Sequence, residues 1–139
     1  MDWIIFAILS AVFAALVAIF AKIGIANIDS TLATSVRAIV MAVFLATVSF
    51  VSGKFKLLHT IGNKALTFII LSGIAGAISW LFYFVALKRG PTSGVAALDR
   101  LSVVIVFILA VIFLQEQLTW RSALGAVLLT IGAILMTIK

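Results

Sequence analysis

Long apolar runs and short polar breaks alternate along the whole chain, and their spacing predicts five helices, over residues 3–25, 31–51, 65–87, 94–114 and 119–138. Each is close to the roughly 20 apolar residues needed to cross a bilayer. The breaks carry turn and cap chemistry. Asn27-Ile28-Asp29-Ser30 supplies N-cap residues for the second helix, so the first two helices are antiparallel neighbours. Lys88-Arg89-Gly90-Pro91 stops the third helix, and Thr92 or Ser93 caps the fourth. Residues 52–64 form the longest break, an interfacial loop with one amphipathic turn. Gln115-Glu116-Gln117 and Thr119-Trp120-Arg121 make the turn before the last helix. The fold class is an all-α integral membrane protein with five transmembrane helices.

Composition sharpens this. Of the 139 residues, 65% are hydrophobic and 10% charged, against roughly 45–50% and 25% in soluble domains. Five spans leave no stretch for a separate soluble domain, so activity must arise within the bilayer or at its faces. The sequence starts Met1-Asp2-Trp3 without the basic region of a signal peptide, and the first apolar run is expected to persist as a helix.

Small residues mark faces where helices approach closely. Ser10, Ala14, Ala18 and Lys22 recur every four residues on the first helix, Gly73 and Gly76 sit on the third, and Gly125 and Gly132 on the fifth. Trp3 and Trp120 fall at helix ends, where indole prefers the headgroup region. Trp80 lies further inside and suits a pathway as well as an anchor.

The formal net charge is +6, but the ten Lys and Arg residues are scattered at helix ends, which argues against a nucleic-acid partner. Lys54, Lys56, Lys64 and Arg121 fall on one side of the membrane. Lys22, Lys88, Arg89 and Lys139 fall on the other, with Arg37 and Arg100 just inside its helix ends. An asymmetry this weak specifies no strong orientation. Five helices enclose little space, whereas many secondary transporters are built from two inverted copies around a midplane site. A homodimer, antiparallel or parallel, would supply that architecture from one sequence.

Charges inside the spans are the candidate chemistry. A charge at a span centre costs roughly 2.5–3.5 kcal/mol, so such residues normally pair, face the bundle or line water. Arg37, Asp99, Arg100 and Lys22 all lie towards the same membrane face, and Asp99 is the only carboxylate within a span. Its expected partners are Arg37 and Lys22, because Arg100 points about 100° away around the helix. The competing reading is a structural ion pair, with Lys22 and Arg100 extending to the headgroups. Trp80 and Tyr83 would line the same pathway, and the excess of cations suits an anionic or zwitterionic substrate. Glu116, beside Trp120 and Arg121, reads as a helix-end charge. With no cysteine, a single histidine in the loop (His59) and no phosphate-binding glycine loop, the sequence offers no catalytic residues, metal site or cofactor site. The reading is not an enzyme.

From Tyr83 onward the chain carries Tyr83-Phe84-Val85-Ala86-Leu87-Lys88-Arg89-Gly90, Ser93-Gly94-Val95-Ala96-Ala97, Phe113-Leu114-Gln115-Glu116-Gln117-Leu118-Thr119, and Leu124-Gly125 with Gly132. In these residues it resembles the second half of an EamA-type domain of the drug/metabolite transporter superfamily. The preceding part is similar in pattern, so residues 1–139 read as a single five-helix unit. Most members of that family carry two such units and ten helices. The resemblance thus implies half of a ten-helix fold, completed by homodimerisation. It implies a transporter in the cytoplasmic membrane of a prokaryote that moves a small metabolite or xenobiotic by alternating access. Its partners would be membrane lipid, a second copy and a small-molecule substrate. Two departures stand out: Gln115 occupies a place where relatives often have glycine, and Asp99-Arg100-Leu101-Ser102 replaces apolar residues and a proline. The alternatives are a small multidrug-resistance type exporter, whose first-helix carboxylate has no counterpart here beyond Asp2, and a non-transporting scaffold or accessory subunit. Reporters fused after residue 139 should signal from both sides of the membrane if copies insert both ways; one strict orientation rules out the antiparallel dimer.

Overall fold

In a computed structural model the described residues are 2–115, 117 and 119–138, all with side chains except Asp2. Among them every regular element is helical: α1 (Asp2–Gly24), α2 (Ser30–Val51), a 3-10 helix (Lys54–Thr60), α3 (Asn63–Arg89), α4 (Thr92–Asp99), α5 (Leu101–Leu114) and α6 (Trp120–Leu135). The stretches Trp3–Gly24, Ser30–Val51, Asn63–Arg89 and Thr92–Leu114 are each long and apolar enough to cross a membrane, and Trp120–Leu135 is a shorter apolar helix. The protein is therefore an all-α, multi-pass membrane protein with a five-helix membrane unit.

Its surface demands a lipid environment. Among the described residues the buried apolar side chains are Ala18, Ala21, Ile25, Phe84, Leu87 and Ala133, while residues as large as Phe13, Phe44, Phe68 and Phe113 are exposed. Exposed apolar area costs about 25 cal/mol per Å² in water and nothing comparable in lipid.

The chain divides into two compact units, Met1–Lys22 with Arg89–Lys139, and Ile23–Lys88. In the first, α4, α5 and α6 pack on one another. Gly94 permits the closest approach: a Cβ there would lie 3.3 Å from Pro91 Cγ and 3.5 Å from Thr137 Cγ2. On α1, Ala18 and Ala21 are buried, Ala14 and Lys22 half-buried and Ser10 exposed, so the small-residue stripe is covered only towards the end of that helix. In the second unit, α2 packs against the 3-10 helix. Gly53, at φ 66°, makes the left-handed turn between them.

Sequence expectation and structure differ in four places. The fourth helix starts at Thr92 and is interrupted at Arg100. There the Arg100 N–H bonds to Ala97 O at 3.2 Å and the Val103 N–H to Arg100 O at 3.0 Å, so three-residue spacing replaces four-residue spacing within the span. The last helix ends at Leu135, before residue 138, because the Thr137 N–H and hydroxyl both turn back to Ile134 O, at 2.9 and 2.7 Å. The third helix is longer at both ends than residues 65–87. The fourth difference concerns Gly73, Gly76, Gly125 and Gly132: a Cβ on any of them would meet nothing within 4 Å, so none serves close packing within the chain. Seven-residue spacing puts Gly125 and Gly132 on one face, but that face is exposed; α6 turns Ala126 and Ala133 inward instead.

Gln115 caps α5 at φ 55°, ψ 32°, with its N–H bonded to Ala110 O. For a residue with a Cβ this left-handed conformation costs about 1–2 kcal/mol. Gln115→Gly should raise thermal stability in detergent by about 1 kcal/mol; a lowered melting temperature would contradict the strain.

Candidate functional site

The second unit holds an arginine laid on aromatic rings. Arg37 lies seven residues after the first residue of α2, about 10 Å along the axis. Its guanidinium carbon sits 3.5 Å from the centroid of Trp80 and 5.9 Å from that of Phe84. Trp80 in turn meets Tyr83 edge-on, with centroids 5.4 Å apart, and Phe84, 6.1 Å apart. Residues 80 and 84 are one helical turn apart on α3, so both rings stand on one side of it. A cation over an indole gains from ~0.5 kcal/mol when exposed to ~2 kcal/mol when desolvated. Among the described residues the guanidinium makes no hydrogen bond or ion pair.

Nearer the helix ends the same unit is closed by polar contacts. Asp29 caps α2, accepting from the amides of Thr31 at 2.9 Å and Leu32 at 3.0 Å. Lys88 donates to Ile28 O at 2.7 Å, so its charge lies beside Asp29. The Leu32 amide chiefly, with the Thr31 amide and Lys88, holds the Asp29 carboxyl below its ordinary value against a smaller opposing effect of desolvation. The buried Thr34 hydroxyl donates to Ser30 O at 2.8 Å and is settled within its own helix.

In the first unit, half-buried Lys22 donates to Gly90 O at 2.9 Å. It stabilises a carbonyl just past the end of α3, where a cation also suits the helix dipole. Asp99 and Arg100 stand at the junction of α4 and α5, about 10 Å into the span. Both are exposed, and among the described residues neither side chain makes a hydrogen bond or ion pair. The pairing of Asp99 expected from sequence is thus not found among the described residues: Asp99 is the last residue of α4, Lys22 donates to a backbone carbonyl and Arg37 lies over an indole face. Glu116 lies outside the described residues.

The sequence pattern points to Arg37, Trp80 and Tyr83 as site residues but not to their stacking, and it offers Phe84 and Lys88 only as parts of the helix and its stop. The i, i+4 progression Trp80, Phe84, Lys88 on α3 was the available signal. Trp3 and Trp120 are among the most exposed side chains, as suits interfacial anchors.

Spanning helices whose described surface is largely apolar define a polytopic membrane protein. The chain belongs to the EamA-like transporter family, which matches residues 1–138. It is 42% identical over 137 residues to a Sinorhizobium protein named "Uncharacterized transporter in cobO 3'region", covering 99% of this chain and 97% of that one. It is also 35% identical over 86 residues to an uncharacterized protein of Methanocaldococcus jannaschii, covering 62% of this chain and 63% of the other. These coverages make each relative about as long as this chain. No solved structure matches the chain.

The depressed Asp29 carboxyl gives a pH signature. A folded value below the ordinary 3.8 means the cap contributes fully above that pH and is lost as pH falls through the folded value. Asp29→Ala should lower the melting temperature at pH 7 but converge with the parent in stronger acid; a gap that persists undiminished there would contradict the assignment.

Proposed function

We propose that the protein is a transporter of the drug/metabolite type that works as a homodimer, in parallel or antiparallel arrangement. It moves a small metabolite or xenobiotic across the cytoplasmic membrane of a prokaryote by alternating access. The polar determinants are Asp99, Arg100 and Lys22 in one unit and Arg37, Trp80 and Tyr83 in the other. The bacterial and archaeal relatives support the prokaryotic setting, and their one-unit length supports assembly from separate copies.

The observation that carries this reading is the Asp99-Arg100 step. Two opposite charges stand exposed at a break in a spanning helix, where facing lipid is costly, by up to roughly 2.5–3.5 kcal/mol each at the centre of a span. That cost is removed if they face a second copy or a water-filled path between copies. Interrupted spanning helices that carry charge are where secondary transporters place solute and coupling ions. Asp99 then serves as the proton-coupling carboxylate, and the three-residue turn at Arg100 as the flexing point.

Proteoliposomes tested with labelled amino acids, nucleosides, sugars, organic acids and organic cations should accumulate a member of this panel under a proton gradient. Asp99→Asn should cut that uptake at least tenfold without changing the elution volume of the protein. Unchanged uptake in the variant defeats the coupling role. Absence of uptake across the panel, together with co-purification of another membrane protein, would replace the reading by an accessory subunit.

A further inference from the structure

Arg37 is the only charged residue of α2 and α3 that lies away from their ends. Its guanidinium is planar and carries five N–H donors around its edge. Stacking on Trp80 at 3.5 Å engages the face of the plane and leaves the edge, where the donors point, for another partner. No acceptor among the described residues takes them. Inside a span, where water is scarce, unmet charged donors are costly, and a fixed guanidinium edge matches the two oxygens of a carboxylate in a bidentate pair.

The surroundings narrow the partner further. Within its unit the next cation on the aromatic side of α3 is Lys88, already bonded to Ile28 O beside Asp29. One unopposed charge is balanced by a monoanion, whereas a phosphate dianion would bring a second charge with no partner. Trp80 and Phe84 give the guanidinium an aromatic flank, with Tyr83 edge-on against Trp80, suited to a hydrocarbon or ring body. We propose that Arg37, held flat by Trp80, is the anion-recognition element of the transporter and that its solute is an organic monocarboxylate with an apolar body. This rests on the transport reading above and names its substrate class.

The test measures binding rather than flux. In the full chain carrying Trp3→Phe and Trp120→Phe, reconstituted in phosphatidylcholine nanodiscs, Trp80 is the sole indole. Its emission is titrated with cyclohexanecarboxylate, with the neutral cyclohexanecarboxamide and with cyclohexyl phosphate. The carboxylate should give a saturable change, with an apparent Kd at least tenfold lower than that of the amide and lower than that of the phosphate. Arg37→Gln should raise the carboxylate Kd at least tenfold. Arg37→Lys, which keeps the charge but loses the planar fork, should raise it several-fold, and it serves if the glutamine variant does not fold.

Equal affinity for acid and amide, or an unchanged Kd in both variants, overturns the proposal by leaving Arg37 as a structural clamp. Tighter binding of the phosphate overturns the monocarboxylate class. Absence of any saturable response also overturns it, including the case in which lipid phosphate already fills the site. Saturable carboxylate binding without uptake would instead count against the transport reading alone.

Discussion

In hydrocarbon, every charge and every hydrogen-bonding group must find its partner within protein, and the arrangement of this chain follows from how far it can meet that demand alone. Its hydroxyls do so cheaply. Thr34, Ser35, Thr47, Thr67 and Thr130 each donate to the carbonyl four residues back, so the helix that carries them settles them. Helix ends are settled by Asp29 and Thr119 as caps and by Lys22 and Lys88 on carbonyls just past or between helices. Arg37 is half settled, its face on an indole and its edge open. Asp99 and Arg100 are not settled by the described residues at all. What one copy leaves unpaired marks what it must meet: a solute, water or another copy.

The same charges explain the mechanics. A helix of 23 apolar residues would cross the membrane as a stiff rod. Placing Asp99 and Arg100 one third of the way along coincides with a tightened turn that divides it into α4 and α5. A short 3-10 step inside a helix is a frequent site of hinging. On the α4 side Gly94 packs against the end of α6, and beyond the break α5 packs on α6 as well. Charge and helix break therefore coincide, which is the arrangement the proposed coupling of carboxylate protonation to a conformational equilibrium needs.

Much of this was legible in the sequence. Apolar runs bounded by Asn27-Ile28-Asp29-Ser30 and by Gly90-Pro91 place the helices within a few residues, because spans and caps are set by local chemistry. The break at Arg100 was not legible, since the run from Val103 to Leu114 is so apolar that the span reads as continuous across two charges. The glycines misled for another reason. Periodicity groups Gly125 with Gly132 but does not say which face of α6 turns inward, and in a membrane protein hydrophobicity cannot decide, because lipid and protein interior are both apolar. At the candidate site, residue types pointed to Arg37, Asp99 and Trp80, but pairing did not follow from charge alone. A guanidinium has an aromatic face as an alternative to a carboxylate, and in this chain it takes the ring.

The central claim is that a single copy leaves charged groups inside the membrane that a second copy completes. Subunit counting tests it most directly. The protein, labelled at one introduced cysteine, is diluted into native-lipid bilayers, and the bleaching steps of individual spots are counted while solute uptake is followed in the same preparation. The account predicts two steps per active particle. Single steps throughout, with uptake undiminished, would contradict it.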